Sequence, residues 1–103
     1  MAQVTEVTLL AQAERDLFQH YADAEEQAPG RGDRISEEVE KLLALLSHMP
    51  RLGRIVGTPY RRMKLSRFPF SLIYVLEGRR VFIHTIASNH EPLEVLLRRL
   101  RQR

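Results

Sequence analysis

Apolar residues recur along this chain in two different periods. Val4, Val7 and Leu9 sit among threonines in a β-rich opening from Gln3 to Leu9, and helix formers take over at Ala11-Gln12-Ala13-Glu14. Leu10, Ala13, Leu17, Tyr21 and Ala24 then recur three or four apart, with Glu14, Arg15, Asp16, Gln19 and Asp23 among them, which predicts an amphipathic helix ending near Gln27. Ala28-Pro29-Gly30-Arg31-Gly32 breaks it, and Asp33 or Ser36 is expected to cap a second helix with the stripe Ile35, Val39, Leu42, Leu43 and Leu46. Pro50 and Gly53 stop that helix after Met49, so the two helices are expected to form an antiparallel hairpin.

From Arg61 the period shortens. Arg61 to Leu65 reads as a basic strand, Ser66-Arg67-Phe68-Pro69 as a turn, and Phe70 to Leu76 as a central strand rich in β-branched and aromatic residues. Glu77-Gly78 is the expected hairpin loop, with Arg79 to Ile86 as the returning strand. Asn89 is expected to cap a last helix with Pro92 in its first turn and Leu93, Leu96, Leu97 and Leu100 along one face. Packing in the core is the expected use of that stripe, and docking of a partner the alternative. The order strand, helix, helix, three-stranded antiparallel meander, helix defines an α+β sandwich.

At 103 residues, with 44% hydrophobic and 28% charged positions, the chain fits one domain spanning residues 1–103. Charges interrupt every apolar run, so no window approaches the roughly 18 apolar residues of a membrane-spanning helix, and no membrane role is expected. Met1 to Glu6 lack a basic stretch followed by an apolar core, which predicts no secretory signal and a cytoplasmic protein. The absence of cysteine excludes disulfides and thiolate chemistry, and four scattered histidines make a poor metal cage, so neither cofactor nor metal is expected.

The net charge of +3 hides a division. Residues 1–50 carry four basic against ten acidic side chains, and residues 51–103 carry twelve basic against three acidic ones. One surface should therefore attract polyanions or an acidic partner. The cluster Arg61, Arg62, Lys64 and Arg67 is the leading candidate for binding an anionic target or an acidic partner segment. Arg98 and Arg99 on the last helix are candidates for the same contact, and with Arg101 and Arg103 they also complement the dipole at its end.

Several blocks resemble the RelE/ParE superfamily of bacterial type II toxins over nearly the whole chain. They are Ala13-x-x-Asp16-Leu17-x-x-x-Tyr21, Leu46-x-x-x-Pro50-x-x-Gly53-Arg54, and above all Arg62-Met63-x-Leu65-x-x-Phe68-Pro69-Phe70-x-Leu72-Ile73-Tyr74, followed by Val81-x-Ile83-x-x-Ile86-Ala87 and Pro92. The spacing is most similar to ParE-like members. The resemblance implies a plasmid-stabilisation toxin that inhibits DNA gyrase and replication and is neutralised by a cognate antitoxin, with self-association into a homodimer left open. Departures lie near the last helix: Ser88 stands where relatives carry His, His90 where they carry Arg, and Glu94 and Val95 where they carry aromatic rings.

The RelE-like branch implies an alternative, an endoribonuclease cutting messenger RNA on the ribosome. A 2′-hydroxyl attacking its neighbouring phosphate needs a base, stabilisation of negative charge and an acid for the leaving oxygen. Arg62 and Lys64 match two of that branch's basic positions, two apart and so on one face of a strand, and His90 is the candidate acid or base. Ser71 and Leu96 occupy the positions of a further Arg and of a Tyr hydroxyl. A third reading is a non-toxic module that retains only antitoxin binding. His84 and Tyr74 are expected to be structural, and His20 and His48 exposed on helices.

Overall fold

The computed structural model describes residues 5–102. The elements run β1 (Glu6–Leu9), α1 (Ala11–Gln27), α2 (Arg31–His48), β2 (Arg54–Gly57), β3 (Tyr60–Lys64), β4 (Phe70–Glu77), β5 (Arg80–Ser88) and α3 (Leu93–Arg101). Gln3 and Val4 of the expected first strand lie outside the described residues, as does Arg103. The sheet order is β1-β5-β4-β3-β2, antiparallel throughout except that β1 runs parallel to β5. This is the expected α+β architecture with one strand more than the hydrophobic pattern indicates. Arg54–Gly57 is too short and too close to Gly53 and Pro59 to read as a strand alone, and it becomes one by pairing Arg54 with Arg62 and Ile55 with Arg61.

β4 lies at the centre and is buried on both sides, which is why Leu72 to Leu76 is apolar without alternation. Leu72 and Tyr74 join Ala13, Ile35, Val39 and Leu46 in the core beneath the helical hairpin. Ile73 and Val75 join Tyr60, Ala87, Leu96, Leu97 and Leu100 beneath α3 on the opposite face. The apolar stripe of α3 is thus spent on the sheet. The β4–β5 turn is shifted by one residue from expectation: Glu77 pairs with Arg80, so the loop is Gly78-Arg79, with Gly78 at φ 60°.

α1 is tied to the sheet through the backbone of one residue. β1 ends at Leu9, opposite Ile83, so the rest of β5 has no strand on that side. Asp16 and His20, one helical turn apart, take the place of the missing strand. Asp16 Oδ2 accepts the Ile86 N–H at 3.1 Å and the Thr85 hydroxyl, and its Oδ1 accepts from Gln12 Nε2 at 2.8 Å. His20 Nε2 lies 2.8 Å from the Ile86 carbonyl oxygen, and because a carbonyl only accepts, Nε2 carries the proton. The His20 ring also stacks on Phe70 at 3.9 Å. It is half-buried, not exposed as its place on a helix suggested, whereas His48 is exposed.

Tyr74 closes the α2–β2 connection. Its hydroxyl donates to the Pro50 carbonyl at 2.8 Å and accepts the Gly53 N–H at 2.8 Å. A Cβ on Gly53 would lie 2.6 Å from that hydroxyl, so the glycine is required for close approach. Burial pushes the phenol above 10.0, against the opposing pull of the Gly53 N–H and Arg61, and keeps it a donor.

Two caps differ from those expected. α2 begins after Gly30, at φ 87°, and the Glu25 carboxylate takes the N–H groups of Gly30 and Gly32, while Asp33 sits inside the first turn and accepts from Tyr21. Pro92, not Asn89, is the residue before α3. Glu38 on α2 secures the β3–β4 turn by accepting the Ser66 N–H and hydroxyl and the Arg67 N–H. Partial burial works to raise its pKa, but these bonds and the Arg67 charge outweigh burial and hold the carboxyl below 4.5.

Asp16→Ala should lower unfolding free energy by about 1–3 kcal/mol in urea titration, because it strands the Ile86 N–H and Thr85 hydroxyl. Asp23→Ala, on the exposed side of α1, should stay within about 0.5 kcal/mol. Because Glu38 has a folded pKa below its unfolded one, its contribution is present above the unfolded value and vanishes as pH falls through the folded one. Glu38→Gln should therefore be less stable than the wild type at pH 7, with the gap closing under acid.

Candidate functional site

The cationic strand β3 divides its charges between the two faces of the sheet. Arg62 lies opposite Ile73 and Lys64 opposite Ser71, so both face the α3 side. Arg61 lies opposite Tyr74 on the hairpin side, where its guanidinium donates to the carbonyls of Arg51 at 3.1 Å and Gly53 at 2.8 Å. Arg61 thus helps hold the loop that Tyr74 closes. The Arg67 main chain is committed to Glu38, and Arg98 and Arg99 stand exposed on α3, with Arg99 in a two-point ion pair with Glu91 at 3.0 and 3.4 Å. Of the candidate cations, the geometry groups Arg62 and Lys64 and leaves the others apart.

A third cation joins them. Arg54 pairs across the strands with Arg62, and Leu52, Arg54, Arg62, Met63 and Lys64 line a shallow groove of about 430 Å³. Like charges directly opposite one another destabilise a sheet. Among the described residues the ion pairs are Arg80–Glu6 and Arg99–Glu91, so no carboxylate neutralises this group. Arg62 instead rests on neutral partners: Nε donates to Ser71 Oγ at 3.2 Å, and Nη2 reaches Asn89 Oδ1 at 3.5 Å, which also accepts the Ser71 hydroxyl. Neutral acceptors orient the guanidinium without cancelling its charge, and its field stays available to an incoming anion.

Asn89 is the residue the sequence reading misplaced, since spacing made it a helix cap when its amide serves Arg62. Arg54 was missed because its strand was missed. His90 follows Asn89 in an exposed turn, and its main-chain N–H donates to Ser88 Oγ at 3.1 Å. Ser71 is 2% exposed and Leu96 is 4% exposed, both taken into the interior. His84 lies edge-on to Tyr60, with ring centroids 5.5 Å apart. Among the described residues no group of acidic or histidine side chains is placed to hold a metal, and no helix is long and apolar enough to cross a membrane.

A five-stranded mixed sheet with a helical hairpin on one face, a short terminal helix on the other and an uncompensated basic group beside that helix defines a small toxin of the RelE/ParE superfamily. The chain belongs to the family described as ParE toxin of type II toxin-antitoxin system, parDE, whose profile it matches over residues 7–92. Among solved structures it is similar to a chain of the chromosomal ParDE toxin–antitoxin system from P. aeruginosa, at 18% identity and a TM-score of 0.73, with 82% of this chain and 96% of that one covered. It is also similar to a chain of the toxin–antitoxin complex RelBE2 from Mycobacterium tuberculosis, at 19% identity and a TM-score of 0.60, covering 85% and 94% of the two chains. No curated protein sequence matches it.

Replacing Arg54 by glutamate converts the repulsive cross-strand pair with Arg62 into an attractive one. Arg54→Glu should raise unfolding free energy by about 0.2–1 kcal/mol at low salt. The gain should shrink in molar salt, where charges on the surface are screened.

Proposed function

We infer that this toxin stops growth by holding DNA gyrase in a harmful state, without cutting nucleic acid, and that a cognate antitoxin neutralises it. The observation that carries this reading is the burial of Ser71 and Leu96. A ribonuclease of the related branch would need a second guanidinium and a phenol at those two places, to clamp the phosphate and to give up a proton. A serine hydroxyl already bonded to Asn89 and a leucine packed against the sheet offer neither. Arg62 and Lys64 can attract an anion, and the partners that hold Arg62, the Ser71 hydroxyl and the Asn89 amide, are neutral groups poorly suited to carry a proton through a reaction. Their arrangement suits binding, with Arg98 and the exposed turn at His90 extending the contact surface along α3.

Inducing the protein alone in a bacterial culture, with labelled precursors of DNA and protein, tests the reading. DNA synthesis should stop first, and the purified chain should inhibit supercoiling by gyrase. Arg62→Ala and Lys64→Ala should each weaken toxicity less than about tenfold, whereas loss of a proton-transferring group costs about 10²–10⁴-fold. An early stop in protein synthesis with accumulating messenger fragments would replace gyrase by the ribosome as target. Unchanged growth would leave an antitoxin-binding module.

A further inference from the structure

Carboxylates do much of the fastening in this fold, where Asp16, Glu25 and Glu38 accept main-chain N–H groups from neighbouring segments. At position 89 the same kind of task falls to a neutral amide. The Asn89 N–H donates to the Pro69 carbonyl at 2.8 Å, which ties the turn after β5 to the start of β4 and sets the side chain beside Ser71. Asn89 Oδ1 then accepts from the Ser71 hydroxyl and from Arg62 Nη2 at 3.5 Å, while Arg62 Nε donates to Ser71 Oγ at 3.2 Å. A guanidinium has no acceptor, so the atom facing it is the amide oxygen. Aspartate has nearly the same size and offers the same acceptor. It would also set a counter-charge against a half-buried guanidinium that faces Arg54 across the strands, and charge-assisted hydrogen bonds are the stronger ones. For stability alone the carboxylate is the better residue. The amide keeps Arg62 aimed and leaves its charge uncancelled.

We propose that Asn89 is a positioning residue of the toxin, whose neutral amide holds Arg62 ready for an anionic group of the target and whose exchange for a carboxylate disarms the protein. This deepens the proposed function and rests on it. A carboxylate at position 89 draws Arg62 into an internal ion pair, which the target anion must break before it can bind. Lys64, opposite Ser71, and Arg54, opposite Arg62, feel the same negative charge. Among the described residues none of these three cations has an ion pair, so the exchange cancels one of three positive charges that otherwise act together. Glu91, the carboxylate nearest to Asn89 in sequence, is engaged by Arg99 in a two-point pair. The turn between β5 and α3 thus places an amide on the cation that faces the groove and gives its carboxylate to a different one.

The test compares the full wild-type chain with Asn89→Asp, Asn89→Ala and Gln27→Glu, the last adding the same negative charge on α1. Three quantities are read: unfolding in urea, the salt concentration at which the chain leaves immobilised heparin, and inhibition of DNA supercoiling by gyrase. Asn89→Asp should be at least as stable as the wild type, yet leave heparin at lower salt and inhibit gyrase about tenfold less well. Asn89→Ala should be less stable, because it strands the Ser71 hydroxyl, while it keeps the wild-type elution and loses less inhibition than Asn89→Asp. Gln27→Glu should match the wild type in all three. On an Arg62→Ala background Asn89→Asp should cost little further inhibition, since it acts through Arg62. A purely structural Asn89 makes potency follow stability, with Asn89→Asp the benign change, and that order overturns the proposal, as does equal elution of Asn89→Asp and wild type. Asn89→Asp inhibiting gyrase as well as the wild type overturns the role of Asn89 and leaves gyrase as the target. Growth arrest by a wild-type chain that spares gyrase, relieved by Asn89→Asp, supports the role of Asn89 and overturns gyrase.

Discussion

The bonds that Asp16 and His20 make to the two polar groups of Ile86 hold the layers of this protein in register. A strand flanked on one side by helix leaves N–H and C=O groups that must find partners, because an unpaired buried amide costs as much as a lost hydrogen bond. β1 is too short to serve all of β5, and α1 supplies a carboxylate and an imidazole one turn apart where a longer strand would supply backbone. The same contact fixes how far α1 slides along the sheet, and through it the position of α2. Glu38 on α2 then holds the turn from which β4 departs.

Much of what a family resemblance offers as functional signature is therefore structural here. Asp16 belongs to the block of the first helix that resembles the family, yet its bonds are to Thr85, Ile86 and Gln12. Pro50 and Gly53 are the two ends of a loop gripped by one phenol, that of Tyr74. Arg61, a leading cation by sequence, spends its guanidinium on the carbonyls of that loop. Around β2 stand cations with no counter-charge, Arg54, Arg62 and Lys64 among them, beside exposed aliphatic side chains. Residues that destabilise the fold where they stand, such as two arginines facing each other across strands, are the ones whose placement calls for a partner.

The division of the sheet into two unequal faces explains the location of this surface. The long hairpin covers one side of the inner strands, and α3, only nine residues long, covers part of the other. α3 reaches β2 at its end, where Leu97 lies against Gly57 and Arg101 donates to the Thr58 carbonyl. Charge that the first half of the chain could have balanced is spent elsewhere, with Glu25 capping a helix and Glu38 holding a turn. The asymmetry of charge along the sequence thus becomes an asymmetry of surface.

By itself the sequence determined the two helices of the hairpin, the meander of β3, β4 and β5, the apolar stripe of α3 and the α+β class, because hydrophobic period and breaker residues are local signals. It also determined that Arg62 and Lys64 share a face, since two residues apart on a strand must do so. Only the tertiary structure decided that Arg54 to Gly57 is a strand, that Asn89 orients Arg62 instead of capping a helix, that His20 is half-buried on Ile86 and Phe70, and that Arg61 turns away from its neighbours. Each of those outcomes depends on a partner far away in the chain: a four-residue strand exists through the strand beside it, and a side chain's role is set by whichever unsatisfied group lies within its reach.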